Sequence, residues 1–289
     1  MTRVGFVVHP GREPAVRAAR ELVAICTSGG HETVELEGPG SIGAADRRPA
    51  GTFSQGLGLV VSVGGDGTLL RAAYLVAERG VPMVGVKVGR MGFLTEVDPS
   101  DAPALLERAI EGTARVDERL AVIGEPADDG GFESQWALNE IMVEKQARHR
   151  LVRLAVEVDG TYVTTFSADG VIVATPTGST AYSFSVHGPI VTPGVGCLLV
   201  TPVAPHMVFD RTLVLGSQQE VVLQVVGEVE GLLSADGRET IGLPVGTRVR
   251  IRAARTPCRL VRRDDAPTFL DRVRDKFDLP GDPNVGDGD

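Results

Sequence analysis

The sequence predicts an α/β segment with a parallel sheet, followed by a β-rich segment. Three observations carry that fold class. Apolar strand-like runs alternate with helix patterns from residue 1 to about 115, the order expected of βαβ units. After Leu120 the pattern changes to short runs, several of them alternating apolar and polar, broken by turn residues. The length, 289 residues, suffices for one large domain or two of ordinary size.

Taken in order, Val4 to Val8 reads as a buried strand that ends at His9 and Pro10. Pro14 to Ser28 reads as a helix, with Ala15, Ala18, Ala19, Leu22, Val23 and Ile25 at helical spacing and Gly29-Gly30 as its stop. Val34 to Leu36 is a short strand. Residues 38 to 56, rich in Gly, Ala, Arg and Pro, are expected to form a surface loop. Leu57 to Val63 is a strand, Leu69 to Arg79 a helix, and "VPMVGVKVG" another strand. "PSDAPALLERAIEG" is a helix with Ser100 or Asp101 as its cap.

In the second half, "LVRLAVEVDGTYVTTFS" alternates about Asp159-Gly160, a hairpin signal. Further β runs are read at 171–174, 197–201, 212–215, 220–227, 246–253 and 258–261. No helix is expected before "DDAPTFLDRVRDKF". The expected organisation is an α/β domain at 1–118, an all-β domain at 119–262, a helix at 263–279 packing back on the first domain, and a disordered tail at 280–289.

Composition narrows the function. Aromatics are only 4% of the chain, so Val, Leu, Ile and Ala must build the core. A net charge of −9 argues against a nucleic-acid partner. The first apolar run is too short for a signal peptide or a membrane span, and no later run reaches ~18 residues. A cytoplasmic protein without membrane attachment is expected. Cys26, Cys197 and Cys258 have no metal-ligand spacing and read as reduced core residues.

One short stretch carries chemistry. In "VVSVGGDGTLLRAAYLVAERG", residues 60 to 80, a strand feeds a glycine turn that opens a helix. Such a turn presents unpaired N–H groups and the positive end of a helix dipole, a cradle for phosphate. Gly64, Gly65 and Gly67 permit positive φ and close backbone approach, and Thr68 can cap the helix. No Gly-Lys-Ser/Thr follows, so this is not a Walker A loop. Asp66 would repel phosphate unless it handled an attacking hydroxyl or a Mg²⁺ ion. The plainer reading is an Asx turn.

A second stretch, "ADGVIVATPTGSTAYSFSVHGPIVTPG" (168–194), sets hydroxyls and glycine after a buried strand. It reads either as a donor-rich loop in which Tyr182 stacks on a base, or as a hairpin with Tyr182 in the core. "WALNEIMVEK" places Asn139 beside Glu140 in a strand-like run, on opposite faces. "SADGRE" reads as a hairpin turn at Asp236.

Together these residues resemble the NAD kinase family. The resemblance runs from about residue 57 to 262 through "GGDGT" (64–68), "GRMGFLTE" (89–96), "NE" (139–140), "DGVIVATPTGSTAYSFS" (169–185) and "TPVAPH" (201–206). "GGDGT" also occurs in lipid kinases, whereas "TPTGSTAY" with "NE" is specific. The resemblance implies a Rossmann-like N-terminal domain, a β-rich C-terminal domain, and a site between them. It also implies Mg²⁺ as cofactor, ATP or polyphosphate as donor, NAD as acceptor, and a homodimer or homotetramer. By position, Asp66 would be the catalytic acid at the ribose 2′-hydroxyl. Gly64, Gly65, Gly67, Thr68 and Arg90 would meet phosphates, and Phe93 would pack beside adenine. Asn139 and Glu140 would grip a ribose; Asp169, Thr177, Ser179, Thr180, Ala181 and Tyr182 would complete the dinucleotide pocket. No protein ligand set for a metal is implied. Lys87 and His187 depart from the family pattern and bear on fine specificity. The rival readings are a lipid or other small-alcohol kinase with the same loop, and a non-catalytic NAD(P)-binding regulator.

Overall fold

A computed structural model describes residues 1–289 except 90, 91, 96, 129, 130 and 281–289, and it shows two compact units. The first comprises residues 1–118 with the chain from 259 onwards; the second comprises 119–258. The first unit contains β1 (Arg3–Val8), α1 (Glu13–Ser28), β2 (Glu32–Leu36), β3 (Asp46–Arg48), α2 (Ala50–Phe53), β4 (Leu59–Gly64), α3 (Asp66–Val76), β5 (Met83–Lys87), α4 (Ala102–Glu111) and β6 (Arg115–Arg119).

Its seven-stranded sheet runs β3-β2-β1-β4-β5, then the Cys258–Arg262 strand, then β6. The pairs β1–β2, β1–β4, β4–β5 and β2–β3 are parallel. All six residues of β4 are buried, which is why it reads as one unbroken apolar run. In α3, Leu69, Ala72, Ala73 and Val76 recur at helical spacing and are buried. Leu69 alone contributes about 2 kcal/mol of hydrophobic burial. Strand order reverses between β1 and β4, and the Gly64–Gly65 turn lies at that switch point, where open α/β sheets take ligands.

Four expectations are corrected here. Residues 38–56 are not wholly loop. Asp46–Arg48 pairs with β2 by backbone bonds, and Phe53 anchors α2 in the core. Asp101 stands at the start of α4 without capping it, because its carboxylate pairs with Arg263. The 258–262 strand, expected with the β-rich half, pairs in parallel with β5 instead. Thr68 does not cap α3: Gly65 is the N-cap residue and Thr68 lies inside the helix, buried. The final helix, Phe269–Lys276, begins with a capping box between Thr268 and Asp271. Apart from Pro280, the tail read as disordered lies outside the described residues.

The second unit stacks two six-stranded sheets. One contains β7 (Val122–Pro126), β8 (Gln135–Ala137), β10 (Val152–Val158), β11 (Thr161–Ala168), β15 (Val221–Val226) and β18 (Arg248–Ala253). The other contains β9 (Glu140–Lys145), β12 (Gly170–Ala174), β13 (Cys197–Val203), β14 (Leu213–Gly216), β16 (Gly231–Ala235) and β17 (Ile241–Leu243). The pairings within both sheets are antiparallel. Their inner faces share a core that includes Ile141, Val143, Leu154, Val156, Phe166, Val171, Val173, Leu223 and Leu233. Ile172 and Ala174 enter a separate cluster on the other face of β12, with Met142 and Leu199. Asp159 and Gly160 both take positive φ (49° and 76°), giving the predicted hairpin. Cys26, Cys197 and Cys258 are buried and form no disulfide.

Candidate active site

The Asp66 carboxylate opens α3 and is held by the segment that follows β5. Its Oδ2 accepts the Phe93 N–H at 2.8 Å. Its Oδ1 accepts the N–H groups of Leu94 (3.2 Å) and Thr95 (3.0 Å) and the Thr95 hydroxyl (3.0 Å). A carboxylate has about four lone-pair positions, two on each oxygen. Oδ1 is therefore fully used, whereas Oδ2 keeps one acceptor position. Close approach depends on Gly92, where a Cβ would overlap the Asp66 carboxyl group.

Of the glycines of this loop, Gly64 acts by size, whereas a Cβ at Gly65 or Gly67 would meet nothing within 4 Å. Gly64, Gly65 and Gly67 are all outside the positive-φ set, correcting that expectation. A side chain at Gly64 would overlap the Thr68 hydroxyl and come within 2.8 Å of Thr68 Cβ. The first backbone bonds of α3 run from the Thr68 and Leu69 N–H groups to Gly65 O, at 3.0 and 3.2 Å, and the N–H groups of Gly65 and Gly67 precede them, where an anion could meet them. The Phe93 ring lies between Phe269 and Phe277, with centroids 6.2 and 6.1 Å away. Arg90 lies outside the described residues. Lys87 pairs with Asp98 at 3.2 Å.

The second unit gathers its own cluster at the bend between β8 and β9. Asp236, at the β16–β17 turn with φ 49°, accepts three backbone N–H groups: Leu138 (2.8 Å), Asn139 (2.8 Å) and Glu140 (3.1 Å). Thr175 binds the same bend from β12. Its hydroxyl donates to Leu138 O at 2.6 Å and its N–H to Asn139 O at 2.8 Å. Gly178 must lack a side chain because a Cβ there would overlap the Asn139 carbonyl. Asn139 thus lies in a bend rather than in a strand.

Glu140 is half-buried, and its Oε2 is shut off from water without a protein partner. Burial, then the nearby Asp236 charge, pushes its carboxyl up to about 8, with the Tyr182 N–H opposing. Asp236 is also raised by burial, against the three N–H groups it accepts.

The hydroxyl-rich stretch is a 3₁₀ turn at Thr177–Thr180 followed by one helical turn, α5 (Tyr182–Ser185), not a hairpin or open loop. Tyr182 is exposed, so the core reading fails. Ser179 is fully buried, and its hydroxyl both donates to and accepts from the Val191 backbone, which leaves it no part in an open pocket. Thr177 is buried too, while Thr180 and Ala181 are partly open. Asp169 is not brought to this cluster. It precedes Gly170, which faces Glu144, whereas Ala174 faces Glu140, so about 13 Å of strand separates the two ends. Its carboxylate pairs with Lys145 at 2.5 Å. His187 has φ 66°, in the left-handed region that glycine favours and that His adopts more readily than most other residues.

Comparison with known proteins shows the family. Residues 4–114 match the ATP-NAD kinase N-terminal domain, and residues 138–263 match the ATP-NAD kinase C-terminal domain. The chain belongs to the NAD kinase family. It is 37% identical to NAD kinase 2 of Streptomyces coelicolor, over 96% of this chain and 94% of the relative. It is 39% identical to the NAD kinase of Thermobifida fusca, over 95% and 89%. The fold is shared with yeast NADH kinase solved with NADH: TM-score 0.84, 24% identity, covering 100% of this chain and 89% of that one. An Archaeoglobus fulgidus NAD kinase solved with ATP gives TM-score 0.75 at 24% identity, covering 96% and 99%.

Membership gives the clusters their context without assigning each side chain. Sequence reasoning missed Gly92, Thr95 and Thr175 as individuals and took Asp236 for a turn alone. Only Asp236 left a signal, an Asp-Gly pair between strands.

Proposed function

We propose that this protein is an NAD kinase that transfers the terminal phosphoryl group of ATP to the 2′-hydroxyl of the adenosine ribose of NAD. The single observation that carries the reading is Asp66, a carboxylate locked by four donors with one Oδ2 position open, at the first turn of a helix. Relatives named NAD kinase over nearly the whole chain support the same reaction.

Phosphoryl transfer proceeds through a loose transition state, so placement and charge stabilisation dominate. Asp66 Oδ2 accepts the 2′-hydroxyl hydrogen and orients its oxygen towards the γ-phosphorus. As the new O–P bond forms, the bond from γ-phosphorus to the ADP bridging oxygen breaks, and the hydroxyl proton passes to Oδ2. The N–H groups of Gly65 and Gly67 face the phosphates. Glu140, protonated at neutral pH, can both donate to and accept from a ribose hydroxyl, with Asn139 beside it. Tyr182 offers an exposed ring to a base.

No group of three or more His, Cys, Asp or Glu gathers among the described residues. We read Mg²⁺ as the cofactor; bound with the donor's phosphates it would neutralise charge on the transferring group. We read the protein as cytoplasmic and as a homodimer or homotetramer; no helix among the described residues is long and apolar enough to cross a membrane.

The test is incubation of pure protein with NAD, Mg²⁺ and either ATP or polyphosphate, with product read by an NADP-specific dehydrogenase. NADP formed with ATP is expected, and formation with polyphosphate alone would overturn the donor. Binding of NAD without NADP formation would overturn the activity in favour of a binding role.

A further inference from the structure

We propose that Arg272 and Arg262 are positioning residues for Asp66, acting through the peptide groups of Phe93, Leu94 and Thr95. The inference rests on the reading of Asp66 as the group that handles the acceptor hydroxyl.

The 93–95 segment is bonded on both sides. Its N–H groups point at the Asp66 carboxylate, and its carbonyls point at two buried guanidinium groups. Arg272 Nη1 donates to Phe93 O at 3.0 Å, and Arg262 Nη1 donates to Leu94 O at 3.1 Å. The Phe93 carbonyl and the Leu94 N–H belong to one peptide plane, as do the Leu94 carbonyl and the Thr95 N–H. Two parallel chains therefore run from guanidinium through peptide to Oδ1 of Asp66. Each cation polarises the N–H at the far end of its peptide, and hydrogen bonds linked this way reinforce one another.

Both arginines are almost fully enclosed, at 7% and 1% exposure. Enclosing an arginine is costly without partners. Arg272 also donates to Pro267 O at 3.0 Å, and Arg262 Nε lies 3.3 Å from Asp117. Phe269 and Phe277 flank Phe93, so the final helix holds the segment by side chain as well as by backbone. Simple packing of that helix would be served by an apolar residue at 272. The arginine is explained by what it does to the peptides beyond it, which fix Oδ1 and leave Oδ2 aimed at the hydroxyl.

The experiment measures kcat and KM for NAD in Arg272→Met and Arg272→Lys, each alone and combined with Asp66→Asn, with folding checked by circular dichroism. Arg272→Met is expected to lower kcat roughly 10- to 100-fold, with KM within about threefold, because a small misplacement of the reacting groups has that effect. Arg272→Lys should lie between Met and wild type. On the Asp66→Asn background Arg272→Met should cost less than about twofold, since groups acting as a unit are not additive. Wild-type kcat in a folded Arg272→Met, or the same loss on both backgrounds, overturns the proposal. If Arg272→Met does not fold, Arg272→Lys carries the test by the same comparison: a loss confined to the Asp66 background supports it, and no loss overturns it. Should Asp66→Asn alone keep full turnover, the reading of Asp66 fails instead, and the two failures are thereby distinguished.

Discussion

Replacing Glu140 with Gln should make the second unit less sensitive to rising pH. Burial, with Asp236 adding its charge, raises the Glu140 carboxyl from 4.5 to about 8. A carboxyl raised in the folded state holds its proton longer folded than unfolded. The wild-type protein therefore loses stability as pH climbs from about 5 to about 8, and the loss levels off above that. At about 1.4 kcal/mol per pH unit the full displacement would amount to roughly 5 kcal/mol. Glu140 is partly open to water and shares its surroundings with Asp236, so about 2 kcal/mol is the magnitude to expect. Urea unfolding followed by Trp136, the single tryptophan and a buried residue of this unit, supplies the assay. The stability advantage of Glu140→Gln over wild type should grow by about 2 kcal/mol between pH 5.5 and pH 9. Parallel pH profiles, or an advantage that shrinks as pH rises, would refute the reasoning.

Two further outcomes follow from the same geometry. Gly92→Ala forces a Cβ into the Asp66 carboxyl group, so the 93–95 segment must move away; kcat should fall by roughly 10², with about 2 kcal/mol of destabilisation from overpacking, read by turnover and thermal unfolding. Asp236→Ala leaves three backbone N–H groups at the 138–140 bend without their acceptor, which should cost about 3 kcal/mol and raise KM for NAD. Asp236→Asn, which keeps one oxygen, should cost clearly less in the same denaturation series.

The sequence revealed much of the fold because its informative signals are local. The unbroken run of β4 and the paired turn residues Asp159-Gly160 each specify an element without reference to anything distant. The β3 strand escaped because "DRR" has no apolar alternation; it exists through backbone pairing with β2 at the sheet edge. The 258–262 strand was legible as a strand but not in its partner, since nothing in "CRLVR" says that β5 lies beside it. The candidate site divides in the same way. Asp66 stood out by its glycine context, yet the 93–95 peptides that hold it are remote in sequence, as are the arginines behind them. Asp236 was read correctly as a turn, and its carboxylate does a second task at a bend nearly a hundred residues earlier. The hydroxyls of 175–180 look alike in sequence; only packing separates Ser179, spent on Val191, from the partly open Thr180.

The central claim, that Asp66 handles the 2′-hydroxyl, is tested most directly by Asp66→Asn. The amide keeps the size of the side chain; its oxygen takes the Oδ1 place among three donors, so the NH2 stands at Oδ2 and the open acceptor position there is lost. The account predicts a folded protein that still binds NAD, with kcat for NADP formation lowered roughly 10²-fold or more. A folded Asp66→Asn protein that forms NADP at the wild-type rate would contradict it.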